Sequence, residues 1–315
     1  MTISPLRILF MGTPEFAATT LKALLAGPDK VVAIVTQPDR PKGRGKKLAP
    51  PPVKVLAVQS GIPVLQPTKI KTEEFRDELK SYEPDIIVVT AYGRILPPAL
   101  LELAPHGCIN VHGSLLPAHR GAAPIQWAVI KGDSEIGVTI MQMDEGMDTG
   151  DILLKTAITP AKDETAGSLF PKLADLGGRT LLEALALLKE GRLKATPQNN
   201  SLATIAPMLK KEDGLIDWQK SATEIHCLIR GLDPWPSAYC FIDGRRLQFF
   251  NPEVLHQNCT AQPGTLLKAD KRGLLVATGR DCLLVKEVQP EGKKKMPIEA
   301  FLCGHSLEPG LSFTS

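Results

Sequence analysis

The sequence predicts an α/β chain of two domains, the first built on a parallel sheet and the second a small β domain. Three observations carry this. Over residues 1–190 short apolar runs alternate with amphipathic ones, the pattern of strands alternating with helices. A polar stretch then interrupts the pattern, and several brief strand candidates separated by turns follow it. At 315 residues the chain also exceeds the usual size of one domain.

In chain order, the apolar runs Arg7 to Met11, Val31 to Thr36, Asp85 to Thr90 and Cys108 to Val111 read as strands. The amphipathic stretches Phe16 to Ala26, Thr72 to Ser81 and Pro97 to Leu103 read as helices between them. From Thr165 to Lys189 a longer helix is expected, with Leu169, Leu173, Leu176, Leu181, Leu185 and Leu188 on its apolar face. Residues 191–207, rich in Pro, Asn, Ser and Thr, have the composition of a linker between a domain at 1–190 and one at 208–315. After a short helix near Ser221 to Arg230, strands are expected at Ala238 to Ile242, Leu247 to Phe250, Gly264 to Lys268, Leu274 to Thr278 and Leu283 to Val288. Trp218 and Trp235, beside Asp217 and Pro234, are expected to brace this second domain by packing.

Ligands of such α/β sheets bind beyond the carboxyl ends of the strands, and His112 closes the run Cys108-Ile109-Asn110-Val111-His112. With a side-chain period of two, Asn110 and His112 share a face, their Cα atoms roughly 6.6 Å apart at about 3.3 Å per residue. An amide donor and an imidazole so placed suit acyl transfer around a small carbonyl group. An acidic loop, Asp144-Glu145-Gly146-Met147-Asp148-Thr149-Gly150-Asp151, follows the apolar alternation Gly137 to Met141 and can bring a carboxylate to His112. The residues alone do not choose among its four acids. Cys108 has the same parity but would lie about 13 Å from His112 along the strand, too far for a Cys–His nucleophile pair.

Several classes are excluded. The first turn, Gly12-Thr13-Pro14-Glu15-Phe16, lacks two of the three glycines of a dinucleotide fingerprint, and no Walker A loop occurs, which argues against a dehydrogenase or an NTPase. The cysteines at 108, 227, 240, 259, 282 and 303 form no CxxC and no zinc-ligand spacing, so they read as reduced thiols and no metal is expected. No apolar run approaches a membrane span and no leader pattern is present, so a cytoplasmic chain is expected. Net charge is only +3, but Arg40, Lys42, Arg44, Lys46 and Lys47 cluster with Pro41, Gly43 and Gly45 and no acid. That composition predicts a mobile basic loop able to order on phosphates. The cluster Lys293, Lys294 and Lys295, with Arg245 and Arg246, is a weaker candidate of the same kind.

The run Asn110-Val111-His112-Gly113-Ser114-Leu115-Leu116-Pro117, continued by Ala118-His119-Arg120-Gly121-Ala122-Ala123-Pro124 and joined by Met147 to Asp151, resembles the signature of the folate-dependent formyltransferases. Further segments resemble the branch of that family acting on initiator methionyl-tRNA: Phe10 to Ala17, Thr36 to Lys47, Ala91 to Pro97, Ile216 to Trp218 and Asp233 to Pro236. Small departures are Ser237, where many relatives have Gly, and His119, where a larger aromatic is common.

The resemblance implies a Rossmann-like parallel-sheet formyltransferase domain followed by an OB-like β-barrel that binds tRNA. It implies Asn110, His112 and Asp148 as the catalytic set and 10-formyltetrahydrofolate as donor, without a metal. Ser114, Leu115, Leu116 and Pro117, with Ala91, Tyr92, Gly93 and Ile95, would hold the donor, Leu and Pro as a flat wall. Arg40, Lys42, Arg44, Lys46 and Lys47 would grip the tRNA acceptor end, Arg44 foremost, with the enzyme acting as a monomer. A formyltransferase for a small amine, a formyltetrahydrofolate hydrolase and a non-catalytic RNA-binding protein remain as alternatives.

Overall fold

A computed structural model of the chain describes residues 4–42, 47–257 and 259–314. Its elements are, in order, β1 (Arg7–Gly12), α1 (Glu15–Ala26), β2 (Lys30–Val35), β3 (Arg40–Lys42), β4 (Lys47–Ala49), α2 (Pro52–Gln59), β5 (Val64–Leu65), α3 (Glu73–Lys80), β6 (Ile86–Thr90), α4 (Pro98–Leu101), β7 (Cys108–His112), β8 (Arg120–Gly121), α5 (Pro124–Lys131), β9 (Ile136–Gln142), β10 (Ile152–Ile158) and α6 (Ala166–Lys189). There follow β11 (Ile205–Ala206), α7 (Ala222–Gly231), β12 (Tyr239–Ile242), β13 (Arg245–Leu255), β14 (Leu266–Asp270), β15 (Gly273–Ala277), β16 (Cys282–Pro290), β17 (Met296–Pro297) and α8 (Ile298–Leu302).

The chain divides into two compact units. The first comprises Met1–Pro124, Glu135–Ile158 and Phe170–Ala206; the second comprises Ile125–Ser134, Thr159–Leu169 and Pro207–Ser315. The sequence reads 191–207 as a linker between domains at 1–190 and 208–315; by contacts, residues 191–206 group with the first unit and two earlier segments with the second. Composition cannot reveal such interleaving, because it reads only neighbours along the chain.

The first unit holds a seven-stranded sheet in the order β10-β9-β7-β6-β1-β2-β5. β5, β2, β1, β6 and β7 run parallel, and the inner ones, β1 from Ile8 and β6, are buried on both faces and accordingly almost wholly apolar. On one face Ile8, Phe10, Val88, Ile109 and Val111 pack with Leu21 and Leu24 of α1 and Leu181 and Leu185 of α6. On the other, Leu9, Met11, Ile87, Val89 and Cys108 pack with Phe75 and Leu79 of α3 and Leu100 of α4. Each fully buried Leu, Ile, Val or Phe contributes about 1.5–3 kcal/mol, so these two layers hold the sheet rigid. The sheet is mixed rather than wholly parallel, since β9 and β10 continue it antiparallel beyond β7. β10 escapes the sequence reading because its pattern of half-buried and exposed positions, with Lys155 in its middle, lacks the continuous apolar run of the inner strands.

The second unit carries an antiparallel sheet in the order β12-β13-β16-β15-β14, with β17 on β16, curled into a half-barrel consistent with the OB-like fold. All five expected strands are present, β13 much extended. α7 opens with Ser221 and Glu224 in a reciprocal capping box. Trp218 packs as expected, stacked on Phe313 and edge-on to Phe249. Trp235 does not: it is 53% exposed, flanked by prolines that follow the chain's turn and leave its ring outside the core. Ser237 adopts φ 69°, the left-handed region that favours glycine.

Candidate active site

β7 lies between β6 and β9, with Asn110 opposite Val89 on one side and Met141 on the other, and His112 opposite Thr139. The strand period therefore puts both side chains on one face at the carboxyl edge of the parallel strands. The acidic loop between β9 and β10 supplies Asp148, which adopts φ 55°, a left-handed conformation costing an ordinary residue about 1–2 kcal/mol but tolerated by Asp. That turn aims the carboxylate back at β7. Asp148 Oδ1 stands 3.4 Å from Asn110 Nδ2, which donates to it, and 3.6 Å from His112 Nδ1. Its Oδ2 accepts from the backbone N–H of Gly121 at 2.8 Å. Asp144, of the same loop, is bonded locally instead, accepting from Thr149 Oγ1 at 2.7 Å.

The His112 side chain is only 5% exposed, and its Nε2 lies 3.0 Å from the carbonyl of His119. A carbonyl only accepts, so the neutral ring carries its proton on Nε2 and leaves Nδ1 with a lone pair toward Asp148. Behind this pair, Thr139 Oγ1 donates to the Ser114 carbonyl at 2.7 Å and accepts from Leu116 N at 3.1 Å, fixing the loop that follows β7. Cys108 is buried, its thiol at 3.3 Å from the Leu100 carbonyl and pushed up to about 12 by burial, so no thiolate is available to act as nucleophile.

The residues expected to hold a donor lie around the ends of β6 and β7. Ala91 has φ 45° and Gly93 φ 79°, and Gly93 has open space where a side chain would stand. Ile95 is 79% exposed, an apolar side chain left in solvent. Tyr92 is buried, and its carbonyl accepts from Thr13 Oγ1 at 3.3 Å and Gln37 Nε2 at 3.1 Å. Ser114 is buried with its hydroxyl donating to the Ala118 carbonyl at 2.6 Å. Leu115 and Pro117 are half-buried. Leu116 differs from expectation: it is fully buried and forms core rather than an open wall.

Of the basic cluster, the backbone from Arg40 to Lys42 in β3 pairs with that from Lys47 to Ala49 in β4 as a short antiparallel ribbon, so the flanks are ordered strands rather than the expected irregular loop. Cross-strand pairing offers the backbone partners that composition cannot foresee. Arg44 and Lys46 lie outside the described residues. The ribbon's root is anchored by Asp39, which accepts from Lys54 Nζ at 2.8 Å and Gln66 Nε2 at 2.8 Å; these bonds, Gln66 foremost, hold its carboxyl below the usual range. In the second unit Lys295 is committed to Glu287 at 3.3 Å and Asp233 at 3.8 Å, and Arg246 lies 3.9 Å over the Tyr239 ring. A cavity of about 210 Å³ there is lined by Asp163, Arg230, Asp233, Glu287 and Lys295 and includes none of the residues around Asp148.

Residues 198–206 enter the site from a segment that composition marks as a linker. Gln198 Nε2 donates to the carbonyls of Asp148 and Gly150 at 2.9 and 2.7 Å. Its Oε1 accepts from Arg120 Nε and an Arg120 terminal nitrogen at 3.1 and 2.8 Å, and that nitrogen also donates to Asn200 Oδ1 at 2.8 Å. β11 pairs with β8, and Thr204 Oγ1 accepts from His119 N at 2.8 Å. Gly121, at φ 123°, permits this approach, since a Cβ there would sit 2.7 Å from the Ala206 carbonyl. Among the described residues no cluster of three or more His, Cys, Asp or Glu side chains is placed to hold a metal ion, and no helix is long and apolar enough to cross a membrane.

The formyl transferase family matches residues 6–185, and the formyl transferase C-terminal domain family matches residues 208–306. A methionyl-tRNA formyltransferase of Desulfotalea psychrophila is 68% identical over 299 residues, covering 95% of this chain and 93% of that protein. One of Geobacter sulfurreducens is 51% identical, covering 97% and 96%. Among solved structures, the sugar 3N-formyl transferase WlaRD shares the fold at a TM-score of 0.69 and 16% identity, covering 92% of this chain and 100% of that one. HypX from Aquifex aeolicus in complex with tetrahydrofolic acid does so at 0.61 and 18%, covering 99% of this chain and 51% of that one.

Proposed function

Since the chain belongs to the formyl transferase family over both of its domains, we propose that it transfers the formyl group of 10-formyltetrahydrofolate to the α-amino group of methionyl initiator tRNA, giving N-formylmethionyl-tRNA for translation initiation. The observation that carries the chemistry is the convergence of Asn110 and His112 on one carboxylate oxygen of Asp148 at the carboxyl edge of the sheet.

The residues around β6 and β7 suit the donor. Backbone groups of Ala91 to Gly93, opened by two positive φ angles, offer donors and acceptors to a pteridine edge, and Ile95, Leu115 and Pro117 offer apolar surface. The bound donor supplies a formyl carbon joined to a nitrogen that leaves as an amine. Everything else is the protein's work. When an amine attacks a formyl carbon, negative charge develops on the oxygen, and Asn110 is placed to donate an N–H to it, an interaction worth about 3–4 kcal/mol at a preorganised site.

An α-amino group has a pKa of about 8, so the attacking nitrogen needs no strong base. It must lose a proton once the bond forms. His112 Nδ1 holds the lone pair that accepts it, because Nε2 is occupied in donating to the His119 carbonyl. The resulting N–H faces Asp148 Oδ1, which stabilises the imidazolium and orients the ring for returning the proton to the leaving amine. Arg40, Lys42, Arg44, Lys46 and Lys47 are assigned to acceptor-end phosphates, and the curled sheet of the second unit to the tRNA body. The enzyme is assigned to the cytoplasm, acting as a monomer.

The test is transfer of labelled formyl from 10-formyltetrahydrofolate to charged initiator tRNA, beside free methionine and a control without acceptor. Transfer confined to the aminoacyl-tRNA supports the assignment. Release of formate without transfer would make the protein a hydrolase instead, and transfer to a small amine would move it to another branch of the family.

A further inference from the structure

We propose that Gln198 is a positioning residue for Asp148, and that the segment from Gln198 to Ala206, keyed by Arg120, is part of the catalytic unit rather than a connector. The inference rests on the formyl-transfer reading above for its activity measurement.

Three observations carry it. First, Gln198 binds the acidic loop at two anchor points, its two amide hydrogens directed at the carbonyls of Asp148 and Gly150 at 2.9 and 2.7 Å. These bonds hold the left-handed turn at Asp148 that aims its carboxylate at His112. Second, the Gln198 amide cannot flip, because Arg120, itself 6% exposed, spends two nitrogens on its oxygen. The orientation that donates to the loop is thereby imposed. Third, between Lys194 and Ile205 no apolar side chain is buried, Leu202 and Ile205 being 64% and 59% exposed. Ala206 apart, the segment thus adds nothing to the core. What it contributes is polar: Gln198 to the Asp148 loop, and Thr204 with β11 to His119, Arg120 and Gly121. Those residues in turn hold His112 Nε2 and Asp148 Oδ2. Both members of the proton-handling pair are therefore fixed from behind by one strand of chain.

Gln198→Glu separates positioning from folding. A carboxylate at 198 still accepts from Arg120, now as an ion pair, but cannot donate to the two carbonyls and repels them. The variant is expected to keep its melting temperature and its KM for 10-formyltetrahydrofolate, while kcat for transfer falls by about tenfold or more through misplacement of Asp148. Amide hydrogen exchange at residues 147–151 is expected to quicken. Gln198→Asn, which keeps the amide but shortens its reach, should fall between the two. A parental kcat in Gln198→Glu, or unchanged exchange in the loop, overturns the inference. A kcat that falls only with the melting temperature also overturns it, since that is packing. If the parent protein itself transfers no formyl group, the functional reading fails, and the exchange measurement alone still decides whether Gln198 positions Asp148.

Discussion

The carboxylate of Asp148 faces Nδ1 of His112 at 3.6 Å, the one ring nitrogen left to take a proton once the other is bonded to a backbone carbonyl. The distance is longer than a hydrogen bond, as suits a pair that tightens only when the ring becomes cationic. In the proposed reaction this arrangement would make His112 an acceptor at a defined atom, and Asn110, bonded to the same oxygen, the donor to the anion formed alongside.

Asn110→Ala is expected to lower kcat about a hundredfold or more, the effect of removing one preorganised oxyanion donor, with donor binding retained. Asp148→Ala should do the same by removing the partner of the imidazolium. Steady-state transfer rates beside equilibrium binding of a tetrahydrofolate analogue check both; near-normal turnover in either variant overturns the site assignment.

Neutralising Arg44 is expected to weaken use of methionyl-tRNA and leave donor affinity unchanged. The plot of log affinity against log salt should flatten by about 0.7 to 0.9 for each phosphate that is no longer neutralised. Binding measured across a salt series decides, and an unchanged slope would show that Arg44 neutralises no phosphate.

Gly121→Ala would set a Cβ 2.7 Å from the Ala206 carbonyl at a φ of 123°. Strain of this kind costs about 1–3 kcal/mol. Urea unfolding should register the loss, and transfer should fall with it because the Gly121 N–H also holds Asp148 Oδ2. A variant of parental stability would show that β8 and β11 do not approach as closely as described.

His226 gives the second unit a pH dependence. Burial, aided by the Arg230 guanidinium beside it, holds its imidazole down to about 4 from 6.5. Between these values the unfolded chain binds the proton and the folded one does not, so stability is full above pH 6.5 and is lost as pH falls toward 4. The slope approaches about 1.4 kcal/mol per pH unit. Urea unfolding of the parent and of His226→Gln across this range checks it; the variant should lose the dependence, and equal slopes would contradict the assignment.

Much of this is legible in the sequence where a local rule suffices. The shared face of Asn110 and His112 follows from the strand period alone, and the apolar runs of β1, β2, β6 and β7 announce strands buried on both sides. Pattern does not single out Asp148, since four carboxylates lie close together and only the left-handed turn selects one. Gln198 escapes altogether. A polar residue in a Pro- and Asn-rich stretch has the same signature whether solvated or clamped, and only its partners, some 50 and 78 residues away in sequence, tell the two apart. Trp235 misleads for the related reason that apolar composition does not fix burial at the surface of a small β domain.

Whether His112 handles the proton of formyl transfer is decided by single-turnover transfer of labelled formyl from 10-formyltetrahydrofolate to charged initiator tRNA, by the parent protein and by His112→Ala at saturating enzyme. Efficient transfer by the parent is expected, with near-complete loss in the variant while tRNA and donor still bind. Equal single-turnover rates would contradict it, leaving His112 without a part in the chemistry.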